Sequence, residues 1–224
     1  MPRAVVVWTA FAASSAVAVG ALWLAAPARR DDAGLEHTPS EASAGALVGA
    51  GLAATPRIAP RDATIDRTRW KAIVIHDSRS PAGDVASIER RHLDAGLAGL
   101  GYHFVIGNGQ GMDDGGVAVG YRWERQLPGA HATASMRAPR ATRANPVALD
   151  AAAINRSAVA VCLVGNGDRR PFTERQVREL AALVRALQAE FGIGSADVLL
   201  RSELAADGSM AHFPATEFRS ALLP

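Results

Sequence analysis

The stretch that decides the fold is Ala158-Val159-Ala160-Val161-Cys162-Leu163-Val164, a continuous apolar run with three valines. A run of this kind, with no polar residue at every second position, predicts a strand buried on both faces at the centre of a sheet. Cys162 is the single cysteine of the chain. It therefore forms no intramolecular disulfide, and its place in the run predicts a small buried hydrophobic side chain.

Shorter apolar runs on both sides predict the rest of the sheet: Ala72–His76, Tyr102–Ile106, Val117–Val119 and Val198–Leu200. The first is rich in β-branched residues and passes into the polar pair Asp77-Ser78, so a strand is expected to enter a loop there. A long loop, punctuated by Pro128 and two further prolines, is expected to continue as far as Asn155.

Two helices are expected between these strands. Asp84 is a suitable cap for the first, which carries Val85 and Ile88 and ends near Gly96. Thr173-Glu174-Arg175-Gln176 has the pattern of a capping box and precedes a long apolar stripe at helical spacing, which Gly192 ends. Strands separated by helices predict an α/β domain with a mixed central β-sheet flanked by helices.

The amino-terminal segment has a different character. No charged residue occurs in 4–26, an apolar stretch between Arg3 and Arg29 that is long enough as a helix to span a bilayer. We predict an N-terminal apolar helix, with residues 1–30 serving as a retained signal anchor. Cleavage as a signal peptide is the alternative, because the small residues of Ala26-Pro27-Ala28 suit a cleavage site.

Residues 31–66 are rich in Ala, Gly, Pro, Ser and Thr without a lasting period, which predicts a flexible linker before a folded domain at 67–224. The formal net charge of the chain is +2, and its basic residues are scattered. This pattern does not support nucleic-acid binding. The export prediction places the domain in the cell envelope, outside the cytoplasm, and we expect a monomer.

Candidate functional residues lie mainly in the first two-thirds of the domain. His76 ends a strand, which is where α/β sheets place ligands, so it is a candidate metal ligand or catalytic group. Tyr102 is a candidate phenol donor to an oxyanion or a packed core residue, and His103 next to it must face the opposite side. His131 lies in a Gly-Ala-His-Ala loop, with functional and structural roles both open, whereas a structural role is expected for His92 on the first helix.

Four blocks in order resemble one family: Ile73–His76, Gly101–Ile106, Gly129–Ala132 and Val161–Gly165. They are similar to the N-acetylmuramoyl-L-alanine amidases of the phage-lysozyme type and to the related peptidoglycan-recognition proteins. The likeness continues through Phe172, Thr173 and Gln176 and covers about Trp70 to Phe218, which is nearly the whole folded part.

The resemblance implies a mixed sheet flanked by helices and one zinc ion held by two histidines and a cysteine. In the family this zinc serves to cleave the amide between the muramic acid lactyl group and L-Ala. His76 matches the first histidine ligand, and Tyr102 matches a tyrosine that stabilises the intermediate. Arg201 stands at or near the second histidine, and Phe213 stands in place of the cysteine. Ala211 stands where the family carries an assisting threonine or lysine.

Because two of the three ligand positions are unmatched, the sequence predicts a degenerate amidase that binds peptidoglycan or muropeptides in a groove at His76, Tyr102 and His131. One alternative is an active amidase with a rearranged zinc site, in which His212, and also His131, joins His76. A third hypothesis is a structural or partner-binding module of the envelope. The sequence leaves enzyme activity undecided.

Overall fold

The computed structural model describes residues 58–60, 63–137, 150–205 and 210–224. Its sheet contains five strands: β1 (Ala72–Asp77), β2 (Phe104–Ile106), β3 (Val117–Val119), β4 (Ala158–Leu163) and β5 (Val198–Leu200). Their order is β3-β2-β4-β1-β5, so the apolar run at residues 158–163 is the central strand, as predicted. All neighbouring strands are parallel except β3, which pairs with β2 in the antiparallel direction, and the sheet is therefore mixed.

Helices connect and flank these strands: α1 (Val85–Asp94), α2 (Tyr121–Glu124), α3 (Ala151–Ser157), α4 (Glu174–Phe191), α5 (Arg201–Leu204) and α6 (Ala215–Ser220), with a 3-10 turn at Ser195–Asp197. The predicted mixed α/β architecture is confirmed. The expectation of a loop as far as Asn155 is wrong, because α3 begins after Asp150. The Asp150 carboxylate accepts from the N–H of Ala153 and caps a run of alanines, the strongest helix formers.

The capping box of the long helix α4 is present as predicted. The Thr173 hydroxyl accepts from the N–H of Gln176, whose side chain accepts in return from the N–H of Thr173. Gly192 ends the helix in the left-handed conformation, at φ 66°. Gln176 is itself buried, and its amide donates to the carbonyls of Ile106 and Val164, which ties α4 to the carboxyl ends of β2 and β4.

The two faces of the sheet have different roles. Ile73 and Ile75 contribute to the larger core, which includes the buried side of α4. Val74 lies between them in the strand and belongs to a separate cluster, so it faces the opposite side. His76 has the same parity as Val74 and therefore shares that second face, at the carboxyl end of β1.

The predicted apolar helix at residues 4–26 and most of the predicted linker lie outside the described residues. Within the described ranges, no helix is long and apolar enough to cross a membrane.

Candidate functional site

The site begins with His76 at the end of β1. It is paired in register with Cys162 of β4 and is 2% exposed. Its Nε2 lies 2.9 Å from Nδ1 of His131, a hydrogen-bond distance. Burial, together with a smaller effect of the positive charge of Arg201, lowers the pKa of His76 to about 3, so the imidazole is neutral at physiological pH.

His131 is brought to His76 by the loop at residues 129–132, which we call the histidine loop. The two rings meet edge to face, with centroids 4.9 Å apart. Burial, and secondarily the neighbouring His76, keeps the pKa of His131 well below its usual value. Its Nε2 is buried and has no hydrogen-bond partner among the described residues.

Tyr102 lies between two imidazoles on the same face. Its ring centroid is 5.2 Å from that of His76 and 5.1 Å from that of His92. Burial raises the pKa of Tyr102 well above its usual value, and the nearby Cys162 acts in the same direction. The phenol is therefore protonated and can donate a hydrogen bond.

His92 has the structural contact that the sequence predicted, because its Nδ1 accepts from the N–H of Gly101. The structure also places its ring against Tyr102, which sequence reasoning missed. His92 has no recognisable motif around it, so the sequence did not indicate that its ring lies close to Tyr102. His103 lies directly before β2, and its ring contacts Trp70 and Trp123, whereas the ring of Tyr102 contacts His76 and His92.

Arg201 follows β5 directly as the first residue of α5. Val74 pairs with Leu199 and Ile75 with Leu200, the last residue of β5, so Arg201 directly follows the pairing that precedes His76 in β1. The positive charge of Arg201 contributes to the low pKa of His76 and opposes the rise in the pKa of Tyr102, so the guanidinium lies near both rings.

Phe213 lies in the core on the α4 side of the sheet and is 6% exposed. Its ring packs between Phe172, at a centroid distance of 5.9 Å, and Phe218, at 5.3 Å. Ala211, the residue two positions before it, is exposed.

His212 is exposed, and its backbone N–H donates to the carbonyl of Gly167. It lines a cavity of about 600 Å³ that residues of α4 and α6 also form. In the described part of the chain, the ring contacts of His76 and His131 are with each other, Tyr102 and His103. The structure thus joins His76, Tyr102, His131 and Arg201 in one cluster, and it does not bring His212 to it.

A zinc site would need about three protein ligands. Within the described ranges, no group of three or more His, Cys, Asp or Glu side chains is arranged to hold a metal ion.

The sequence matches the profile of the N-acetylmuramoyl-L-alanine amidase family over residues 66–212. Among curated proteins, no relative matches it. Among solved structures, it is similar to the endolysin N-acetylmuramoyl-L-alanine amidase LysCS from Clostridium intestinale, with 22% identity and a TM-score of 0.53 over 74% of this chain and 95% of that one. The amidase LysC from the same organism is similar at 22% identity and a TM-score of 0.52, over 71% and 89% of the two chains. At these identities the likeness concerns the fold.

Proposed function

Since this chain belongs to the N-acetylmuramoyl-L-alanine amidase family, we propose that its folded domain binds peptidoglycan or its muropeptides and does not hydrolyse them through the family's zinc. Membership of this family and the amidase-like fold support peptidoglycan as the target of the protein. The proposal concerns what the domain does there.

The observation that carries the proposal is the place of Arg201 directly after β5, the strand that pairs with β1, where its charge acts on His76. An arginine side chain stays protonated in proteins and has no lone pair to offer a metal. Its positive charge would also repel a zinc ion held by His76. The position that matches the family's second histidine is thus occupied by a group that opposes the metal.

Phe213 supports the same conclusion for the cysteine position. Its ring has no donor atom, and it is packed into the aromatic cluster under α4. His131 is the remaining candidate ligand near His76. Two nitrogens bound at about 2.0–2.1 Å to one tetrahedral zinc would lie roughly 3.4 Å apart. The 2.9 Å between His76 Nε2 and His131 Nδ1 fits a hydrogen bond between these two nitrogens.

The proposed contact surface for the glycopeptide is the edge of the cluster. His76 and His131 are almost fully buried, whereas Tyr102 and Arg201 are partly exposed. A protonated phenol and a guanidinium donate hydrogen bonds. They are therefore suited to the carbonyl and carboxylate oxygens of a muropeptide.

Metal analysis and binding together test the proposal. After dialysis, we expect the purified domain to contain well under one zinc per chain, to be retained on purified cell wall with or without a chelator, and to release no peptide from muropeptides. Stoichiometric zinc, or release of peptide that a chelator blocks, would show an active amidase with a rearranged site. Failure to be retained on cell wall would favour a structural or partner-binding module of the envelope.

The chain offers a matched pair of variants for the binding experiment. It contains two tyrosines, Tyr102 at the cluster and Tyr121 in α2, whose hydroxyl donates to the carbonyl of Ala98. Tyr102→Phe should weaken retention on cell wall, and Tyr121→Phe should leave it unchanged. Equal effects of the two variants would remove Tyr102 from the contact surface.

The predicted N-terminal apolar segment leads to a second part of the proposal. We infer that residues 1–30 anchor the protein in the membrane, that 31–66 form a linker, and that 67–224 act in the cell envelope as a monomer. The uncharged stretch at 4–26 supports this proposal.

A further inference from the structure

Asn155 of α3 makes four hydrogen bonds to the histidine loop. Its Oδ1 accepts from the backbone N–H groups of His131 and Ala132, both at 2.9 Å. Its Nδ2 donates to the carbonyl of Ala132 at 3.0 Å, and its own carbonyl accepts from the N–H of Gly129 at 2.8 Å. Three of the four contacts use the side chain, so they depend on this residue being asparagine.

The opposite side of the histidine loop is held equally closely. The N–H of Ala130 donates to the carbonyl of Gly101 at 3.0 Å. A Cβ on Gly101 would lie 2.3 Å from the carbonyl oxygen of Ala130, and a Cβ on Gly129 would lie 2.4 Å from Cδ2 of His131. Both distances are far below van der Waals contact, so the loop and the His131 ring have little room to move.

We propose that Asn155 is a positioning residue that holds His131 against His76 and thereby couples the tautomer of His76 to that of His131. The contact between Nδ1 of His131 and Nε2 of His76 is the last link of this arrangement. A neutral imidazole has one N–H and one lone pair, so one ring donates in this contact and the other accepts, and the tautomer of one ring determines the tautomer of the other.

Two arrangements satisfy this contact. In one, Nε2–H of His76 donates to the lone pair on Nδ1 of His131. In the other, Nδ1–H of His131 donates to the lone pair on Nε2 of His76, whose proton is then on Nδ1.

A purely structural role for Asn155 makes a different prediction from a positioning role. If Asn155 only stabilised the fold, its loss would lower the melting temperature without altering the imidazoles of a protein that stays folded. If Asn155 positions His131, its loss also allows His131 and His76 each to populate both tautomers. Imidazole nitrogen chemical shifts, measured by long-range ¹H–¹⁵N correlation in the full folded domain, separate these outcomes.

Three variants make the test. Asn155→Ala removes the three side-chain contacts, whereas Asn155→Asp keeps an acceptor for the two N–H groups and loses the donor to Ala132. Asn108→Ala is the matched control. The side chain of Asn108 donates to the carbonyl of Pro81 and accepts from the N–H of Gln110, away from the histidine loop.

In the unaltered protein we expect separate tautomer-specific nitrogen shifts for His76 and His131. These shifts should move towards the average of the two tautomers in Asn155→Asp and further in Asn155→Ala. His103, held by Ala160 and Leu127, should keep its shifts in every variant. Unchanged shifts of His76 and His131 in Asn155→Asp, or in a folded Asn155→Ala, would overturn the proposal. Asn155→Asp decides the matter if Asn155→Ala does not fold.

A binding measurement, which rests on the proposed function, completes the test. With a purified muropeptide as the probe, Asn155→Asp should weaken binding by about two- to tenfold, the scale of one lost hydrogen bond. Asn108→Ala should bind as the unaltered protein does. Absence of binding in the unaltered protein would contradict the proposed function and leave the nitrogen-shift result to judge Asn155. Unaltered affinity together with unaltered shifts would reject Asn155 as a positioning residue.

Discussion

His103 should make the stability of this domain depend on pH. The side chain is fully buried, its Nδ1 accepts from the N–H of Ala160 at 2.9 Å, and its Nε2 lies 3.1 Å from the carbonyl of Leu127. The neutral Nε2–H tautomer satisfies both contacts. A second proton would sit on Nδ1 and face the N–H of Ala160, donor against donor. Burial is the main reason why the pKa of His103 falls to about 4.

The sign and size of the effect follow from linkage. An unfolded histidine has a pKa near 6.5. Between pH 6.5 and about pH 4, this histidine is therefore protonated in the unfolded chain, whereas His103 in the folded domain stays neutral. The stabilisation is complete above pH 6.5 and is lost as the pH falls. A shift of this size corresponds to about 3.4 kcal/mol once the pH is below both values, and to roughly 2 kcal/mol at pH 5.

Urea unfolding at pH 7.5 and pH 5.0 measures the effect, with His103→Gln as the comparison. The free energy of unfolding of the unaltered domain should fall by about 2 kcal/mol more than that of the variant. His76 and His131 are present in both proteins, so their contributions cancel to first order. Equal pH dependence of the two proteins would refute the reasoning, as would a directly measured pKa of His103 above 6. That NMR titration needs only the unaltered protein and applies even if His103→Gln does not fold.

Three further predictions concern the core, the metal and the location. Gln176→Leu should lower the free energy of unfolding, measured in urea, by about 2–3 kcal/mol, because the carbonyls of Ile106 and Val164 lose their buried donor. A much smaller change would show that a water molecule replaces the lost amide. Phe213→Cys alone should cost about 3 kcal/mol by emptying its place in the aromatic cluster, whereas combining it with Arg201→His should raise the zinc content measured by elemental analysis. Zinc no higher than in the unaltered protein would show that the backbone no longer supports the site. Cell fractionation should find the full-length chain in the membrane fraction, and recovery in the soluble cytoplasm would contradict the anchor.

Much of the frame could be predicted from local patterns. The apolar run at residues 158–163 indicated a central strand, and the structure places it in the middle of the sheet. Thr173 and Gln176 indicated the start of α4, and Gly192 indicated its end. These features depend on hydrogen bonds between residues a few positions apart and on runs of apolar side chains. Both can be recognised in short stretches of sequence.

The segment before β4 was harder to predict. Its prolines indicated a loop as far as Asn155, whereas the capped alanine run at 151–153 forms the start of α3. An N-cap residue followed by three alanines indicates a helix only weakly, whereas the prolines of this segment indicate a loop strongly. For the same reason the part played by Asn155 was missed, since its partners in the histidine loop lie more than twenty residues away.

The sequence by itself determined the fold class, the family resemblance and the chemical types at the site, including an arginine and a phenylalanine where the family has metal ligands. Only the tertiary structure decided that His131 meets His76 across 55 positions and that the Phe213 ring lies in the core under α4. It also decided that His212 lines a cavity beside α4. Residue types and short periodic patterns of apolar side chains can be read from the linear sequence. A contact between distant side chains exists only after the sheet has set its register and the loops have packed against it.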